Sequence, residues 1–289
     1  MIKVNDVIFE GNQFPNGETI FKITDGMVTK TDIVITLIWE SNDDLFNLMI
    51  LKKYFDEQRA VYPNRNDCIP LPRRIILDCP FMPYGQADRE IMIIPDKDCY
   101  TCTFKYFAQL LNDLKFDRIN IKDPHSPIMA ATLKNCRVTY PVIDWYKDNF
   151  TKFDVIFFPD NGAQKKYTEV FEGNIPREKI LPYTFAYKKR NLETGEIISL
   201  NVVDPELVKD KRVIIIDDLV MGGGTYKYSA KELYKLGAKT VDCYFTHLMP
   251  QSKQFVTKES KEFGILNIYS EDTLQLRNRW RIEKAIARS

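Results

Sequence analysis

The sequence predicts an α/β protein with doubly wound, mainly parallel sheets. Short apolar runs rich in β-branched residues recur along the 289-residue chain, and segments with helical spacing lie between them. Runs that are apolar at every position are typical of strands covered by helices on both faces. Open sheets of this kind bind ligands beyond the carboxyl ends of their strands, so the residues after each strand are the first candidates for a site.

The elements follow one another in alternation. The predicted strands are 32–37, 74–77, 118–121, 137–140, 155–158, 213–216 and 241–245. The predicted helices are 43–58, 101–114, 164–170 and 226–236. A boundary near 140–149 gives two domains, 1–145 and 146–289, which agrees with a length of about two domains. The tail, 272–289, is predicted as a charged helix with Trp280 and Ile282 as its apolar contacts.

Composition argues against two classes of partner. The 41 basic and 40 acidic residues nearly cancel, so no strong field favours nucleic acid or an anionic membrane. The sequence has no apolar run of about 20 residues, and its start lacks the core of a signal peptide. We therefore expect a soluble, cytoplasmic protein that binds neither nucleic acid nor membrane.

The cysteines do not form a metal-binding set. Cys99 and Cys102 make one CxxC pair, and no second pair completes a zinc site. A redox role would need this pair at the start of a helix that follows a strand. We predict ordinary reduced thiols for all six cysteines: Cys68, Cys79, Cys99, Cys102, Cys136 and Cys243.

The segment VIIIDDLVMGGGTYKYSAKELYKLGA (213–238) carries the clearest functional signal. An apolar strand leads into Asp217 and Asp218, then into a turn formed by Met221, Gly222, Gly223, Gly224 and Thr225. Thr225 is the predicted cap of the following helix, whose free N–H groups would favour an anion. Carboxylates beside a bound phosphate would repel it unless they hold sugar hydroxyls or Mg²⁺. The alternative is a buried strand followed by an ordinary surface turn; the GxxxxGK[ST] pattern of a P-loop is absent.

Further motifs precede and follow this segment. They are FPNGE (14–18), SNDDLFNLMIL (41–51), PFMPYGQADRE (80–90), KDPHSP (122–127), FFPDNG (157–162), KKR (188–190) and FTHLM (245–249). In this order and at this spacing they resemble the phosphoribosyl pyrophosphate synthetase family, the ribose-phosphate diphosphokinases. The resemblance spans about 14–249, which is most of the chain.

The resemblance implies a reaction and an architecture. Members of the family transfer the β,γ-diphosphoryl group of ATP to the 1-hydroxyl of ribose 5-phosphate with Mg²⁺. They fold as two phosphoribosyltransferase-like domains and assemble into dimers and hexamers. For this chain, 1–145 would be the ATP-side domain, and 146–289 would carry the ribose-binding loop, the catalytic loop and a C-terminal helix.

The resemblance also implies a role for each matched residue. Asp217 and Asp218 would bind the ribose 2- and 3-hydroxyls, for which ionised carboxylates are suitable acceptors. The segment 221–225 would bind the 5-phosphate. Lys188 and Arg190 would act as catalytic cations on a mobile loop within 187–204 that closes over the triphosphate. Read without its neighbours, KKR would instead be a solvated surface run.

Metal and nucleotide contacts are implied in the same way. His125 and Asp160 follow predicted strands and match residues on the metal and phosphate side, although His125 could instead be a loop histidine satisfied by the backbone. Phe14, Asn16 and Glu18 match an adenine-binding turn that often reaches across a subunit interface, and Arg89 is a further nucleotide candidate.

Two departures from the family pattern bear on the substrates. Gln86 and Ala87 stand where the family commonly has Arg and Gln near ATP. Met221 and Gly222 stand where the family usually has Asp and Thr, which weakens the grip on a phosphomonoester and leaves more space. Such a loop favours a ribose with a larger 5-substituent, with ADP-ribose preferred slightly over ribose 5-phosphate. The product would then be ADP-ribose pyrophosphate, a precursor for rebuilding NAD⁺.

Other functions compete with the diphosphokinase. A phosphoribosyltransferase shares the Asp-Asp and glycine-turn signature but does not need a second domain, the FPNGE turn or the KKR segment. A non-catalytic regulator of synthetase fold would tolerate Gln86 and Ala87, whereas the presence of Lys188, Arg190 and the two aspartates speaks against it.

Overall fold

The computed structural model of the protein describes residues 1–16, 18–28, 31–61, 74–93, 98–190 and 197–270. The chain divides into two compact units, Met1–Thr139 and Tyr140–Ser289. Each unit contains a six-stranded, mainly parallel sheet with helices between its strands, which confirms the predicted α/β fold class. The helix predicted at 272–289 lies outside the described residues.

Unit 1 contains ten strands and four helices within the described residues. The strands are β1 (Ile2–Val4), β2 (Val7–Ile8), β3 (Gly11–Gln13), β4 (Thr19–Phe21), β5 (Asp32–Leu37), β6 (Arg74–Asp78), β7 (Ile91–Ile93), β8 (Asp98–Tyr100), β9 (Arg118–Lys122) and β10 (Cys136–Thr139). The helices are α1 (Asp25–Val28), α2 (Asp43–Val61), α3 (Thr103–Asp113) and α4 (Pro127–Thr132).

The main sheet of unit 1 has the order β10-β9-β6-β5-β1-β2. Neighbouring strands from β10 to β5 run parallel, whereas β1 is antiparallel to both β5 and β2. One continuous apolar core covers this sheet and draws residues from β5, β6 and β9 and from helices α2 and α3. Two short antiparallel pairs, β3 with β4 and β7 with β8, stand apart from it.

Unit 2 contains six strands and four α-helices within the described residues. The strands are β11 (Val155–Phe158), β12 (Tyr183–Arg190), β13 (Ile197–Val202), β14 (Arg212–Val220), β15 (Thr240–Leu248) and β16 (Ile265–Ser270). The helices are α5 (Val142–Asn149), α6 (Asn161–Glu172), α7 (Gly224–Lys235) and α8 (Ser260–Glu262). A π-helical segment, Phe255–Glu259, leads into α8.

The sheet of unit 2 has the order β13-β12-β11-β14-β15-β16 and is parallel except for β13, which is antiparallel to β12. Alternate residues of β14 enter two separate apolar cores, because successive side chains of a strand point to opposite faces. Val213 and Ile215 belong to the core under α7, and Ile214 and Ile216 belong to the core under α6. This explains why the strand is apolar at every position.

All seven predicted strands and all four predicted helices are present, with shifts at their ends. The largest difference within a strand is at β14, which continues four residues beyond the predicted end at Ile216. The hairpin β12–β13 and the N-terminal strands β1 and β2 were not predicted, because their residues alternate between polar and apolar or form very short runs.

The cysteines with described side chains, Cys79, Cys102, Cys136 and Cys243, are free thiols. Cys102 directly precedes α3, whereas Cys99 lies within β8, so only one cysteine of the pair is at the start of a helix. Cys68 and the side chain of Cys99 lie outside the described residues. None of the described helices has the length and apolar character needed to cross a membrane.

Candidate functional site

The strongest candidate site in unit 2 lies near the carboxyl ends of its parallel strands. Asp160 follows β11, Lys188 lies on β12, and Asp217 and Asp218 lie on β14. The structure therefore places four of the predicted site residues on, or just after, three adjacent strands of one sheet. The edge formed by strand ends is where open α/β sheets bind ligands.

Asp217 and Asp218 were predicted to follow the strand directly. In the structure they lie inside the C-terminal part of β14. Strand β14 continues through Leu219 and Val220, which pair with His247 and Leu248 of β15. The apolar residues beyond the aspartates extend the pairing, so the two carboxylates project from regular strand backbone. The prediction that the strand stops before the aspartates was wrong for this reason.

Both oxygen atoms of the Asp217 carboxyl group have hydrogen-bond partners in the protein. Its Oδ1 accepts a hydrogen bond from the Asp218 backbone N–H at 2.9 Å. Its Oδ2 lies 2.8 Å from the hydroxyl of Tyr226, a residue of the first turn of α7 that sequence analysis did not select. Burial, followed by repulsion from Asp218, raises the pKa of Asp217 well above its ordinary range.

Asp218 has a different partner. It is buried, and its Oδ1 lies 3.8 Å from Nζ of Lys166 on α6. The Lys166 ammonium also lies 4.6 Å from the ring centroid of Tyr167. Lys166 was not predicted as a site residue, because a lysine in the middle of an amphipathic helix usually faces solvent. The carboxyl group of Asp217 therefore contacts a hydroxyl group, and that of Asp218 lies near a cation.

Asp160 joins the start of α6 to the predicted catalytic lysine. Its Oδ1 accepts a hydrogen bond from the Ala163 backbone N–H at 2.9 Å and so caps the helix. Its Oδ2 lies 2.7 Å from Nζ of Lys188. Burial opposes ionisation, but the Lys188 ammonium and the hydrogen bonds outweigh it, and the pKa of Asp160 lies below its ordinary value.

Lys188 and Arg190 lie on a strand and not on an extended loop. Strand β12 pairs with β13 over most of its length, including Lys188 with Leu200, so much of the segment predicted as a mobile loop (187–204) is a β-hairpin. The reason is that residues of β13 supply backbone partners for KKR. The side chain of Arg190 and residues 191–196 lie outside the described part of the chain.

The turn between β14 and α7 depends on one of its glycines. Gly223 has φ +75° and precedes the first residue of α7, Gly224. A Cβ at Gly223 would lie 2.2 Å from Cγ of Phe255, so both backbone angle and packing require glycine here. Thr225 lies inside the helix, and Gly223 takes the cap position that was predicted for Thr225, since only glycine reaches the backbone angle there easily.

The other two glycines of the turn meet no such constraint. A Cβ at Gly222 or at Gly224 would have no described atom within 4 Å, and neither residue has a positive φ. The neighbouring Met221 is 40% exposed. The protein's own packing therefore does not explain why these positions lack side chains, and the space over the turn is open to a ligand.

In unit 1, His125 follows β9 and lies beside the PYG turn. It is exposed, and a Cβ at Gly85 would lie 3.5 Å from the His125 Cβ and 2.7 Å from Cε of Met129. The glycine thus allows the turn that begins at Tyr84 (φ 61°) to approach α4 closely. The structure brings two predicted motifs, PYGQ and DPHSP, into contact within this unit.

The predicted nucleotide residues of unit 1 are accessible. Phe14, Asn16 and Glu18 form the turn between β3 and β4, in which the Phe14 N–H donates to the Glu18 carbonyl at 2.7 Å and the Glu18 N–H donates to Asn16 Oδ1 at 3.1 Å. The Phe14 residue is 51% exposed. The Arg89 side chain is 76% exposed and lies 3.6 Å from the buried Asp88. Gln86 is exposed and Ala87 half-buried.

The described residues contain no group of three or more His, Cys, Asp or Glu that could hold a metal ion by themselves. Magnesium normally binds one or two carboxylates and otherwise keeps waters and substrate phosphates as ligands. Among the described residues, Asp160 offers Mg²⁺ a single carboxylate, and an ion bound there would need water or phosphate oxygens as its other ligands.

Two doubly wound α/β units, with a carboxylate pair and a glycine turn on the second, define a phosphoribosyltransferase-like architecture. Residues 168–268 match the family model described as the phosphoribosyl transferase domain. The chain is also similar over 93% of its length, at 22% identity, to the ribose-phosphate pyrophosphokinase of Saccharolobus solfataricus, of which the match covers 86%. Another relative of that name, from Clostridium acetobutylicum, is 27% identical over 88% of this chain and 75% of its own.

A solved structure shows the same fold. The crystal structure of phosphoribosylpyrophosphate synthetase from Mycobacterium smegmatis covers 97% of this chain, with 93% of its own chain matched, a TM-score of 0.64 and 21% identity. The chain is thus similar over most of its length to proteins named ribose-phosphate pyrophosphokinase, and its fold matches that of a phosphoribosylpyrophosphate synthetase.

Proposed function

We propose that this protein is an ATP-dependent diphosphokinase that acts on the anomeric hydroxyl of a 5-phosphorylated ribose. The 1-hydroxyl oxygen attacks the β-phosphorus of ATP, the bond between the α,β-bridging oxygen and that phosphorus breaks, and AMP leaves while the hydroxyl loses its proton. The observation that carries the proposal is the Asp217–Asp218 pair beside an open glycine turn, with the Lys188–Asp160 ion pair on the neighbouring strands.

Each group of residues has a task that suits its chemistry. Asp217 and Asp218 receive the sugar hydroxyls, and the N–H groups at the start of α7 favour the 5-phosphate. Lys188 stabilises the charge that develops on the transferring phosphoryl groups, and Arg190 is assigned to the same task by its position in KKR. Phosphoryl transfer requires little covalent participation by the protein, so positioning and charge account for most of the rate.

The nucleotide is assigned to residues of unit 1. The exposed ring of Phe14 is available to stack on adenine, with Asn16 and Glu18 beside it and Arg89 available for phosphate. Magnesium, which neutralises phosphate charge when bound, would be held by ATP with His125 and Asp160 as candidate contacts. On this proposal 1–145 is the ATP-side domain and 146–289 the acceptor domain.

The acceptor is proposed to be ADP-ribose in preference to ribose 5-phosphate. The names of the relatives favour ribose 5-phosphate, whereas the space above Gly222 and Gly224 and the exposure of Met221 favour a 5-substituent that continues beyond the first phosphate. A missing hydrogen bond to a charged phosphate costs about 1.5–3 kcal/mol, so the turn is a poor pocket for a terminal monoester. The product would be ADP-ribose pyrophosphate, which suits NAD salvage.

A homo-oligomer, either a dimer or a hexamer, is also proposed. Phe14 and Ile20 are exposed apolar residues on or beside the short β3–β4 pair, which supports contact with a second copy. Analytical ultracentrifugation of the wild type and of Phe14→Ser with Ile20→Ser tests this: dissociation of a wild-type assembly in the double variant supports it, and a wild-type monomer contradicts it.

The reaction is tested by ³¹P NMR of the protein with ATP, Mg²⁺ and either ribose 5-phosphate or ADP-ribose. Formation of AMP together with an anomeric diphosphate supports the diphosphokinase, and a higher kcat/KM for ADP-ribose supports the extended acceptor. The double variant Met221→Asp with Gly222→Thr is the matched comparison, because it restores the side chains usual in the family. It should shift preference toward ribose 5-phosphate by about tenfold for each 1.4 kcal/mol of differential binding. Consumption of neither acceptor contradicts the reaction, and an unchanged preference contradicts the role of the turn.

A further inference from the structure

The hydroxyl of Tyr226 lies between two oxygen atoms of β14. It is 2.6 Å from the Leu219 carbonyl oxygen and 2.8 Å from Oδ2 of Asp217. Both are normal lengths for O–H···O hydrogen bonds. The carbonyl oxygen carries no hydrogen and can only accept, and the tyrosine hydroxyl supplies a single proton.

The Tyr226 hydroxyl has one proton for two oxygen contacts, so it can donate in only one of them. The Tyr226 proton is needed at Leu219, because two oxygens at 2.6 Å with no proton between them would repel. The contact at 2.8 Å then needs a proton from Asp217. We propose that in the ligand-free protein Asp217 is protonated and donates to Tyr226, so that Asp218 alone presents a negative charge from the carboxylate pair. Tyr226 is then a positioning residue for Asp217.

The surroundings of Asp217 agree with this assignment. Burial of its carboxyl group, followed by the nearby charge of Asp218, raises its pKa well above the ordinary value. Burial also raises the pKa of Tyr226, which keeps its hydroxyl protonated. Of the residues that the structure describes, the titratable and charged groups that act on this pair include Asp218 on β14, Cys243 on β15, Asp160 before α6 and Lys166 within α6.

The consequence for substrates rests on the proposed function. Of the sugar hydroxyls, one would meet a charged acceptor, Asp218, and the other a neutral carboxyl group, Asp217. With Asp217 neutral, the anions Asp160 and Asp218 balance the cations Lys166 and Lys188. An ionised Asp217 would add negative charge beside the turn to which the phosphate of the acceptor is assigned.

The test is a pH titration by ¹³C NMR of protein labelled at the aspartate carboxyl carbons, without any substrate. Asp217→Asn identifies the signal of Asp217 by its disappearance. Tyr226→Phe removes the hydroxyl and keeps the ring, and Tyr234→Phe is the matched control. Tyr234 lies on the same helix and donates to the Gly264 carbonyl at 2.6 Å, but it does not bond to Asp217.

We expect the Asp217 signal of the wild type to titrate above those of ordinary aspartates. Tyr226→Phe should lower the proton affinity of Asp217 about tenfold, since the neutral acid loses its hydrogen-bond acceptor, and Tyr234→Phe should leave it unchanged. If Tyr226 instead donates to an ionised Asp217, its removal raises that proton affinity, and this sign overturns the proposal. An Asp217 that titrates in the ordinary range in the wild type overturns it as well, even where Tyr226→Phe does not fold. Because no substrate is present, the result does not depend on the proposed reaction.

Discussion

At the scale of single residues, the glycines of the turn differ in what keeps them free of a side chain. Packing and backbone angle require glycine at position 223 but not at positions 222 and 224. Gly223 has a left-handed backbone and lies against the Phe255 ring, whereas Gly222 and Gly224 are surrounded by open space among the described residues. These neighbouring glycines therefore have different reasons to lack a side chain, and substitution can distinguish them.

Gly223→Ala should destabilise the fold by about 2–5 kcal/mol, because a left-handed alanine and an overpacked contact with Phe255 add their costs. Gly222→Ala is the matched control and should change the free energy of unfolding by less than about 0.5 kcal/mol. Urea unfolding followed by circular dichroism measures both. Equal stabilities for the two variants would contradict the packing described at Gly223.

Lys188→Ala should lower kcat about 10²-fold and leave the ATP dissociation constant nearly unchanged, since a cation that acts on developing charge contributes mainly in the transition state. Lys165→Ala, an exposed lysine on α6, is the control and should change neither value. Steady-state kinetics and titration calorimetry with a non-hydrolysable ATP analogue measure them. A loss confined to KM would show that Lys188 serves binding alone.

Sequence motifs selected four residues of the candidate site but did not indicate the side-chain contacts that these residues make. Asp160, Lys188, Asp217 and Asp218 were selected because motifs and strand ends are local patterns. Tyr226 and Lys166 were missed because their contacts with the aspartates are made across helix–sheet packing, which nothing local in the sequence indicates. The protonation of an aspartate is likewise set by burial, and burial is a property of the folded chain.

At the scale of elements, β11 and β14 are joined at their starts by a charged pair. Asp154 accepts from the Arg212 backbone N–H at 2.9 Å and from its guanidinium at 2.8 and 3.0 Å. The Arg212 side-chain hydrogen bond, followed by the backbone hydrogen bond, lowers the pKa of Asp154 to about 2. This contact fixes the first residues of two neighbouring parallel strands.

Asp154→Asn should reduce stability in a pH-dependent way. The folded pKa is depressed, so the stabilisation is fully present above the unfolded value of about 3.9 and is lost as pH falls toward about 2. The stability difference between wild type and variant should therefore shrink through that window. Asp144→Asn, at an exposed position on α5, is the control for a change of one charge. Urea unfolding at a series of pH values measures the difference, and a difference independent of pH would contradict the assigned contact.

The elements also show where local patterns mislead. Continuous apolar runs identified the parallel strands correctly, because burial on both faces leaves no other pattern. The hairpin β12–β13 was interpreted as a loop, since Lys188, Lys189 and Arg190 are charged and their partner strand β13 is at the edge of the sheet. Edge strands keep polar side chains, and their pairing depends on a partner distant from the local window.

At the scale of the whole molecule, each of the two units has apolar cores of its own. In the part of the chain that the structure describes, the core of unit 1 is formed by residues before Tyr140, and both cores of unit 2 are formed by residues from Tyr140 onward. A unit that contains its complete core has what it needs to fold alone.

A fragment of residues 140–289 should therefore unfold in one cooperative transition with native-like near-ultraviolet circular dichroism. The packing of Trp145 against Tyr244, with ring centroids 4.5 Å apart, provides the aromatic signal. The same fragment with Phe157→Asp, which places a charge in a core, is the control that should lose this signal. A wild-type fragment without a cooperative transition would show that the boundary or the independence of the unit is wrong.

The packing of Phe255 under Gly223 has a consequence for how such a protein could diversify. Substitution would destabilise the fold at Gly223 but not at Met221, Gly222 or Gly224. Selection can therefore change the residues beside the proposed acceptor without unfolding the protein. A combinatorial library at these three codons, with the glycine codon at 223 held constant, would sample new acceptor preferences while most of its members remain folded. The turn thus has one position that stability keeps fixed and three that evolution or a laboratory selection can vary.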